Sequence, residues 1–417
     1  MSTPVRPAAA ALVADRLRVA LEQVSGERMA ATVATLAGVA FTGRRVGSAG
    51  GAAARAWLGQ HLADVGAEVT LESFTVLHVP EVYTAPSVHW SDGTAEMRLE
   101  YGRQMAVHLA AGDEPLIRRG ALGVAGTGDP VGRWLAVPDG MTLFDAYGHA
   151  HGALGLLLGR GVDADGWHYT MLAGPNPGPL PILTLDTATH AAVLHAASRG
   201  TGTFAGNTPI RRLDLPAANV HGRWRPATDG PEVLLTAHYD GVGDHPGLRQ
   251  PAAADNGSGV AVVLEAGRVL AALLPDTVGL AVALLDGEEA GALGSAHHAA
   301  QLRAAGATPL VINVDGAGHL HQAAAVEAGG AAHGLLAALD QAGRHTGLPL
   351  VAGPVASDNR RYAAAGLPSV GIGAGMAGYH SPADTPDRVE TATLTAVARL
   401  VVATGLLVTA DPGTVSS

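Results

Sequence analysis

The sequence contains no cysteine. That excludes a disulfide framework and any thiolate metal site, so a metal in this chain has to be held by imidazole and carboxylate. It also has no basic excess. The formal net charge is -11 at pH 7, which argues against nonspecific nucleic-acid binding, since that needs a basic surface. The first residues, MSTPVRPAAAALVADRLRVALEQ, have no basic start followed by a long apolar region, because Asp15 and Arg16 interrupt the patch. No signal peptide is read from them, and a cytoplasmic location is the expectation. No uncharged apolar run of spanning length stands in a suitable context, so no membrane association is expected. Internal repeats are absent.

What is present is the composition of a folded protein. The 417 residues are 47% hydrophobic and 15% charged, too long for one ordinary core, and two domains are expected. Residues 8–37 predict a helix, with Leu12, Leu17, Leu21 and Val24 near helical spacing. A helix over about 51–64 and a strand to Phe74 follow. The texture then changes. Residues 86–210 carry short strand-like runs, such as Gly132 to Val137 and Pro179 to Leu185, cut by Gly, Pro and Asp. They read as an inserted, smaller, β-rich domain within a larger one made of residues 1–85 and 211–417. In the second part strands alternate with helices: strands at 232–237, 279–285, 309–314, 323–328 and 368–373, and helices at 257–273, 289–304, 332–346, 359–365 and 391–409. That rhythm predicts an α/β fold, a mainly parallel sheet covered by helices on both faces. Chemistry in such sheets sits at the carboxyl ends of the strands.

The acids and imidazoles fall there. The apolar run Val233-Leu234-Leu235 ends in His238 and Asp240. A ligating imidazole usually has its second nitrogen fixed by an oxygen, and Asp240 is placed to supply one. Asp255, in Asp255-Asn256-Gly257-Ser258-Gly259, reads either as a helix N-cap or as a carboxylate bridging two cations. Glu288-Glu289 after the strand VGLAVALLDG either complements a helix dipole or divides the work, one ligating and one moving protons. Asp315 ends the strand PLVINVD, an odd place for an unpaired charge. His380 sits in Gly378-Tyr379-His380-Ser381-Pro382. Each motif is weak alone; the ordered set at the strand ends of one domain points to a shared metal site. His297 and His298 read as surface or packing residues, His149 and His151 as surface residues, and His245 as a residue that either packs or lines the pocket.

As a set, HxD, DNGSG, EExGxxGS, NVD and YH resemble the co-catalytic zinc aminopeptidases, a family that includes bacterial leucine aminopeptidases, aminopeptidase Y, glutamate carboxypeptidase II and glutaminyl cyclases. The resemblance covers roughly residues 40–75 and 217–405, and the insert resembles a protease-associated domain. It implies a zinc-exopeptidase fold and two Zn2+ ions, with Mn2+ or Co2+ as alternatives. His238 and Asp315 would hold one ion, Glu289 and His380 the other, and Asp255 would bridge. It further implies Glu288 as the general base and acid, and Tyr379 as a partner of the oxyanion. The implied reaction is removal of N-terminal residues from peptides. Carboxypeptidase action, small-molecule amide hydrolysis and glutaminyl cyclisation are alternatives, and a receptor-like binding role is the non-enzymatic one. Two departures bear on the substrate. Ser357-Asp358-Asn359 stands where Ser-Asp-His is common, and Ala356 where some members have arginine, with Arg360 and Arg361 just after. The sequence leaves the oligomeric state open, a homodimer being one option.

Overall fold

The computed structural model describes residues 7–228 and 230–410. In chain order the first elements are α1 (Pro7–Glu22), α2 (Gly26–Leu36), α3 (Ala49–Asp64) and β1 (Glu68–Val82). Next come β2 (His89–Ser91), β3 (Glu96–Arg98), β4 (Met105–Val107), β5 (Glu114–Val124), β6 (Arg133–Ala136), α4 (Leu143–Gly148), β7 (Gly155–Gly159), β8 (Ile182–Leu185), α5 (Thr187–Ser198) and β9 (Thr203–Thr208). The chain returns through β10 (Ile210–Arg225), β11 (Glu232–His238), α6 (Gly259–Leu273), β12 (Gly279–Leu285), α7 (Leu293–Ala304), β13 (Leu310–Val314) and β14 (Ala324–Gly329). It closes with α8 (His333–Thr346), β15 (Leu350–Ala352), α9 (Asn359–Ala364), β16 (Ser369–Gly373) and α10 (Thr391–Ala410).

One eight-stranded sheet has the order β1-β10-β12-β11-β13-β16-β14-β15. Its centre, β12-β11-β13-β16, is parallel. The alternation of β11 and β12 explains the two covered faces. Val233, Leu235, Leu280, Val282 and Leu284 join the core under α2, α3, α6, α8 and α10. Leu234, Ala281, Ala283 and Leu285 join the opposite core with Ala299 of α7 and Tyr362 of α9. Strands buried on both faces read as continuous apolar runs, as these do. Truncating one such side chain, for example Leu235→Ala, costs about 2–5 kcal/mol. Helix α10 and the segment Ala253–Leu273 are long and apolar enough to cross a bilayer, yet both are largely buried within the fold and α10 packs on α6.

The helix expected over 8–37 is two helices. Ser25 accepts from the Arg28 N–H as the N-cap of α2, and its own N–H donates to Glu265 of α6. The cap and the tertiary bond together end one helix and start the next. The side chain of Leu12 lies outside the described residues. β10 escaped the sequence reading because Pro216 argues against a central strand. In the structure Pro216 pairs only with Thr75 of β1, and pairing with β12 begins further on, at Val220.

β1 and β10 form an antiparallel ribbon that runs from Glu68↔Arg223 to Val82↔Ile210. Residues 83–209, beyond its far end, carry the second sheet, β3-β2-β9-β5-β6-β7-β8-β4. Its core centres on Trp134, whose ring lies 5.1 Å from that of Phe204, with Leu157 and Leu183.

Candidate metal centre

The parallel block places its strand ends on one edge. β11 ends at His238, opposite Leu285 of β12. The chain after β12 turns through Gly287 and Gly291, both at positive φ, so Glu288 and Glu289 precede α7 in a loop and are not at its first turn. Asp315 follows β13 directly. Asp255 lies in a buried turn before α6, whose N-cap is Ser258. The N-cap reading of Asp255 therefore does not describe it.

Polar side chains fix these loops to one another. The Asp384 carboxylate accepts from the N–H groups of Ala254 (2.6 Å) and Asp255 (3.0 Å). Asn256 donates to the Val314 carbonyl (2.9 Å) and accepts from Gly316 N–H (3.2 Å), so the Asp255 turn is tied to the strand that ends in Asp315. Asp240 accepts from the N–H groups of Glu288 (3.0 Å) and Glu289 (3.2 Å). Its backbone carbonyl lies 3.2 Å from His238 Nδ1, closer than its carboxylate at 3.6 Å. Asp240 thus orients the glutamate pair as well as the imidazole. Arg44, fully buried, donates to the carbonyls of Leu36, Tyr239, Pro251 and Ala252. The clamping roles of Arg44 and Asp384 were missed in the sequence. The only signal for either was a charge among glycines or prolines.

The structure brings together all five residues expected to hold metal. His238, Asp255 and Asp315 form one group of convergent donor atoms, and Asp255, Glu289 and His380 form another. His238 Nε2 lies 3.3 Å from Asp255 Oδ1 and 3.4 Å from Asp315 Oδ1. His380 Nε2 lies 3.1 Å from Asp255 Oδ2 and 2.8 Å from Glu289 Oε2. Ligand bonds of about 2.0–2.2 Å in a tetrahedral shell put donor atoms roughly 3.3 Å apart, so both groups match a zinc-sized ion. Glu289 Oε1 is buried and has no hydrogen-bond partner, a cost that a cation relieves. Glu288 is half-buried beside them. The Tyr379 ring, 38% exposed, stacks on His380 at 3.7 Å and stands at the rim of the site.

The charge balance points the same way. Burial disfavours charge on His238, but Asp315 and Glu288 outweigh it and raise the imidazole well above its ordinary value. His380 is raised likewise, against burial, by Glu289 and Asp255. Burial raises Glu289 to about 7, and it raises Asp358 nearby to about 7. Glu288 is pushed well up, by burial first and by Asp358, Asp315 and Glu289 against the pull of His238. Buried acids outnumber the two imidazoles, and bound cations would resolve that surplus.

Among the other histidines, His298 packs edge-on against Tyr362 and bonds its hydroxyl (2.9 Å), and His297 stacks on Phe74. His149 and His151 are exposed. His245 lines a small cavity with His168 and Met171. A cleft of about 590 Å3 over β1 and β10, beside α7, is separate from the metal-facing groups.

Residues 219–405 match peptidase family M28. This stretch is an M28 peptidase domain. Every one of the metal-facing side chains lies inside it, and domains of this family act on peptides. No curated protein matches the sequence significantly. Among solved structures, the fold is similar to an aminopeptidase from Aneurinibacillus sp. strain AM-1, with TM-score 0.67, 19% identity and coverage of 92% of this chain and 94% of that one. It is similar to a zinc aminopeptidase from Bacillus subtilis, with TM-score 0.68, 18% identity and the same 92% and 94% coverage. A glutaminyl cyclase from Fimbriiglobus ruber matches at TM-score 0.51 and 15% identity, over 92% of this chain and 95% of that one. These likenesses establish the mixed α/β fold flanked by helices.

Proposed function

We propose that the protein is a zinc-dependent aminopeptidase with a two-ion centre. His238 and Asp315 would hold one ion, Glu289 and His380 the other, and Asp255 would serve both, with Mn2+ or Co2+ as alternative metals. The observation that carries this reading is the split of Asp255, whose two oxygens face two different donor groups. Zinc in such a site supplies Lewis acidity, making water more acidic and polarising a carbonyl oxygen.

The chain supplies the rest. Glu288 accepts the proton of the attacking water and delivers it to the departing amine. Asp240 holds the Glu288 backbone in place for that task. The Tyr379 hydroxyl donates toward the carbonyl oxygen as charge develops there.

The surroundings favour a substrate amine over a substrate carboxylate. Acids crowd the site, while Arg360 is bound to Glu327 (2.8 Å) and Arg361 donates to the Gly291 carbonyl (2.6 Å). Those two arginines follow the altered Ser357-Asp358-Asn359 segment and are engaged elsewhere, which weighs against the carboxypeptidase alternative. The glutaminyl cyclase alternative rests on the Fimbriiglobus ruber likeness, which is the weaker fold match. The insert is proposed to be of the protease-associated kind, on its sequence pattern.

The test is a substrate panel on the zinc-loaded protein: aminoacyl amides with a free α-amine, the same amides N-acylated, and peptides read at the carboxyl end. Turnover confined to the free-amine series is expected. Equal turnover of N-acylated substrates, or release of C-terminal residues, would overturn the aminopeptidase assignment.

A further inference from the structure

The insert carries no catalytic motif, yet one of its loops lies against the metal centre. The segment 160–181, between β7 and β8, leaves the insert and runs along the loop that bears His380. The Thr170 N–H donates to the His380 carbonyl (2.9 Å). The Thr170 hydroxyl accepts from Gln250 (2.8 Å), a residue that lines the same small space as Asp255, Glu289 and His380. The Tyr169 ring lies 6.2 Å from that of Tyr379, which stacks on His380. Asp165 forms an ion pair with Arg388 (2.6 Å), further along the His380 loop.

The decisive contact is at the imidazole itself. His380 Nε2 faces Asp255 and Glu289, and its other nitrogen, Nδ1, lies 3.2 Å from the Met171 sulfur. An imidazole that ligates metal through one nitrogen needs the other held, ordinarily by a carboxylate or carbonyl. For His238 the Asp240 carbonyl is in that place. For His380 it is a thioether from the other domain, a weak acceptor. His380 also has a φ of 52°, a left-handed conformation that a non-glycine residue keeps only when its surroundings hold it there. The Thr170 amide on its carbonyl is one such restraint.

We propose that the insert loop 160–181 is a positioning element of the Asp255–Glu289–His380 subsite, in which Met171 orients the His380 imidazole and Thr170 fixes its backbone. The inference rests on the two-ion reading above. It implies an asymmetry: the insert supports one ion and leaves the His238–Asp255–Asp315 ion untouched. It also gives the inserted domain a part in the chemistry, since the His380 side of the centre is complete only with the insert docked.

The test is a zinc titration of the metal-stripped, full-length protein as wild type, Met171→Leu and Met171→Gln, with metal-free melting temperatures and kcat and KM alongside. Leucine keeps the bulk and removes the acceptor; one ion is expected to bind about tenfold more weakly, the other unchanged, with kcat falling more than KM changes. Glutamine offers an oxygen to Nδ1–H and is expected to restore the weakened ion. Unchanged affinity in Met171→Leu overturns the proposal, as does equal weakening of both ions or a failure of glutamine to rescue. A drop in metal-free melting temperature without a selective loss of one ion assigns Met171 to packing and also overturns it. If the wild type itself takes up fewer than two ions, the two-ion reading fails and the positioning role falls with it; if the wild type binds two and Met171→Leu matches it, only the positioning role fails.

Discussion

The two carboxylate oxygens of Asp255 address different imidazoles: Oδ1 lies 3.3 Å from His238 Nε2 and Oδ2 lies 3.1 Å from His380 Nε2. Hydrogen bonds from both imidazoles, against the effect of burial, hold this carboxyl well below its ordinary range. A neutral amide cannot serve both sides. Asp255→Asn is therefore expected to lower kcat/KM by about a thousandfold or more, as loss of Lewis-acid stabilisation worth several kcal/mol implies. Its zinc content, measured after dialysis, is expected to fall at both positions. Loss of a single ion with the other intact would mean the bridge is not shared.

Glu288 is the group assigned to proton transfer; burial first, and the neighbouring acids after it, raise its affinity for protons. Glu288→Gln keeps the shape and removes the base. It is expected to lower kcat by about 10²–10⁴-fold, the usual worth of a positioned acid–base group, with zinc content unchanged. Near-normal turnover in a fully metallated variant would remove Glu288 from the mechanism.

Arg44 is fully buried and its guanidinium satisfies four carbonyls from three segments around the site. Lysine cannot reproduce that planar fork. Arg44→Lys leaves buried carbonyls unpaired and is expected to cost about 3 kcal/mol or more of stability, measured by chemical denaturation. A variant as stable as wild type would show that water replaces those bonds without loss.

Away from the metal centre, Glu265 of α6 receives Arg268, Arg28 and the Ser25 N–H. Burial alone would raise its carboxyl, but those partners outweigh it and hold it at about 2, below the ordinary 4.5. Folding thus favours the ionised form. The stabilisation is full above pH 4.5 and is lost as the pH falls toward 2. Glu265→Gln is expected to destabilise the metal-free protein by about 1–3 kcal/mol at pH 7. The gap from wild type is expected to close on acidification through that window, read from melting temperature against pH. A gap that does not change with pH would assign Glu265 a packing role.

The strand ends that carry His238 and Asp315 could be read from the sequence because each closes an apolar run buried on both faces. The pairing of those ends with Asp255, Glu289 and His380 was legible in the order of motifs, and the structure brings the five together. Other parts depend on contacts between residues far apart in sequence. The Asp384 clamp on Asp255 spans 129 positions and leaves no local pattern. The same holds for Met171 against His380, 209 positions apart. The start of α7 was placed too early because Glu288 to Gly294 has fair helical character, while Gly287, Gly291 and Ala292 all take positive φ and keep the loop open. Pro216 hid β10, which forms half of the antiparallel ribbon with β1.

The number of metal ions bound per chain tests the reading most directly. Metal-stripped protein titrated with Zn2+ and followed by calorimetry, with metal content measured afterwards, is expected to take up two ions per chain and to regain activity as the second is filled. A chain that saturates with one ion, or that binds none while remaining folded, would contradict the two-ion centre built on Asp255.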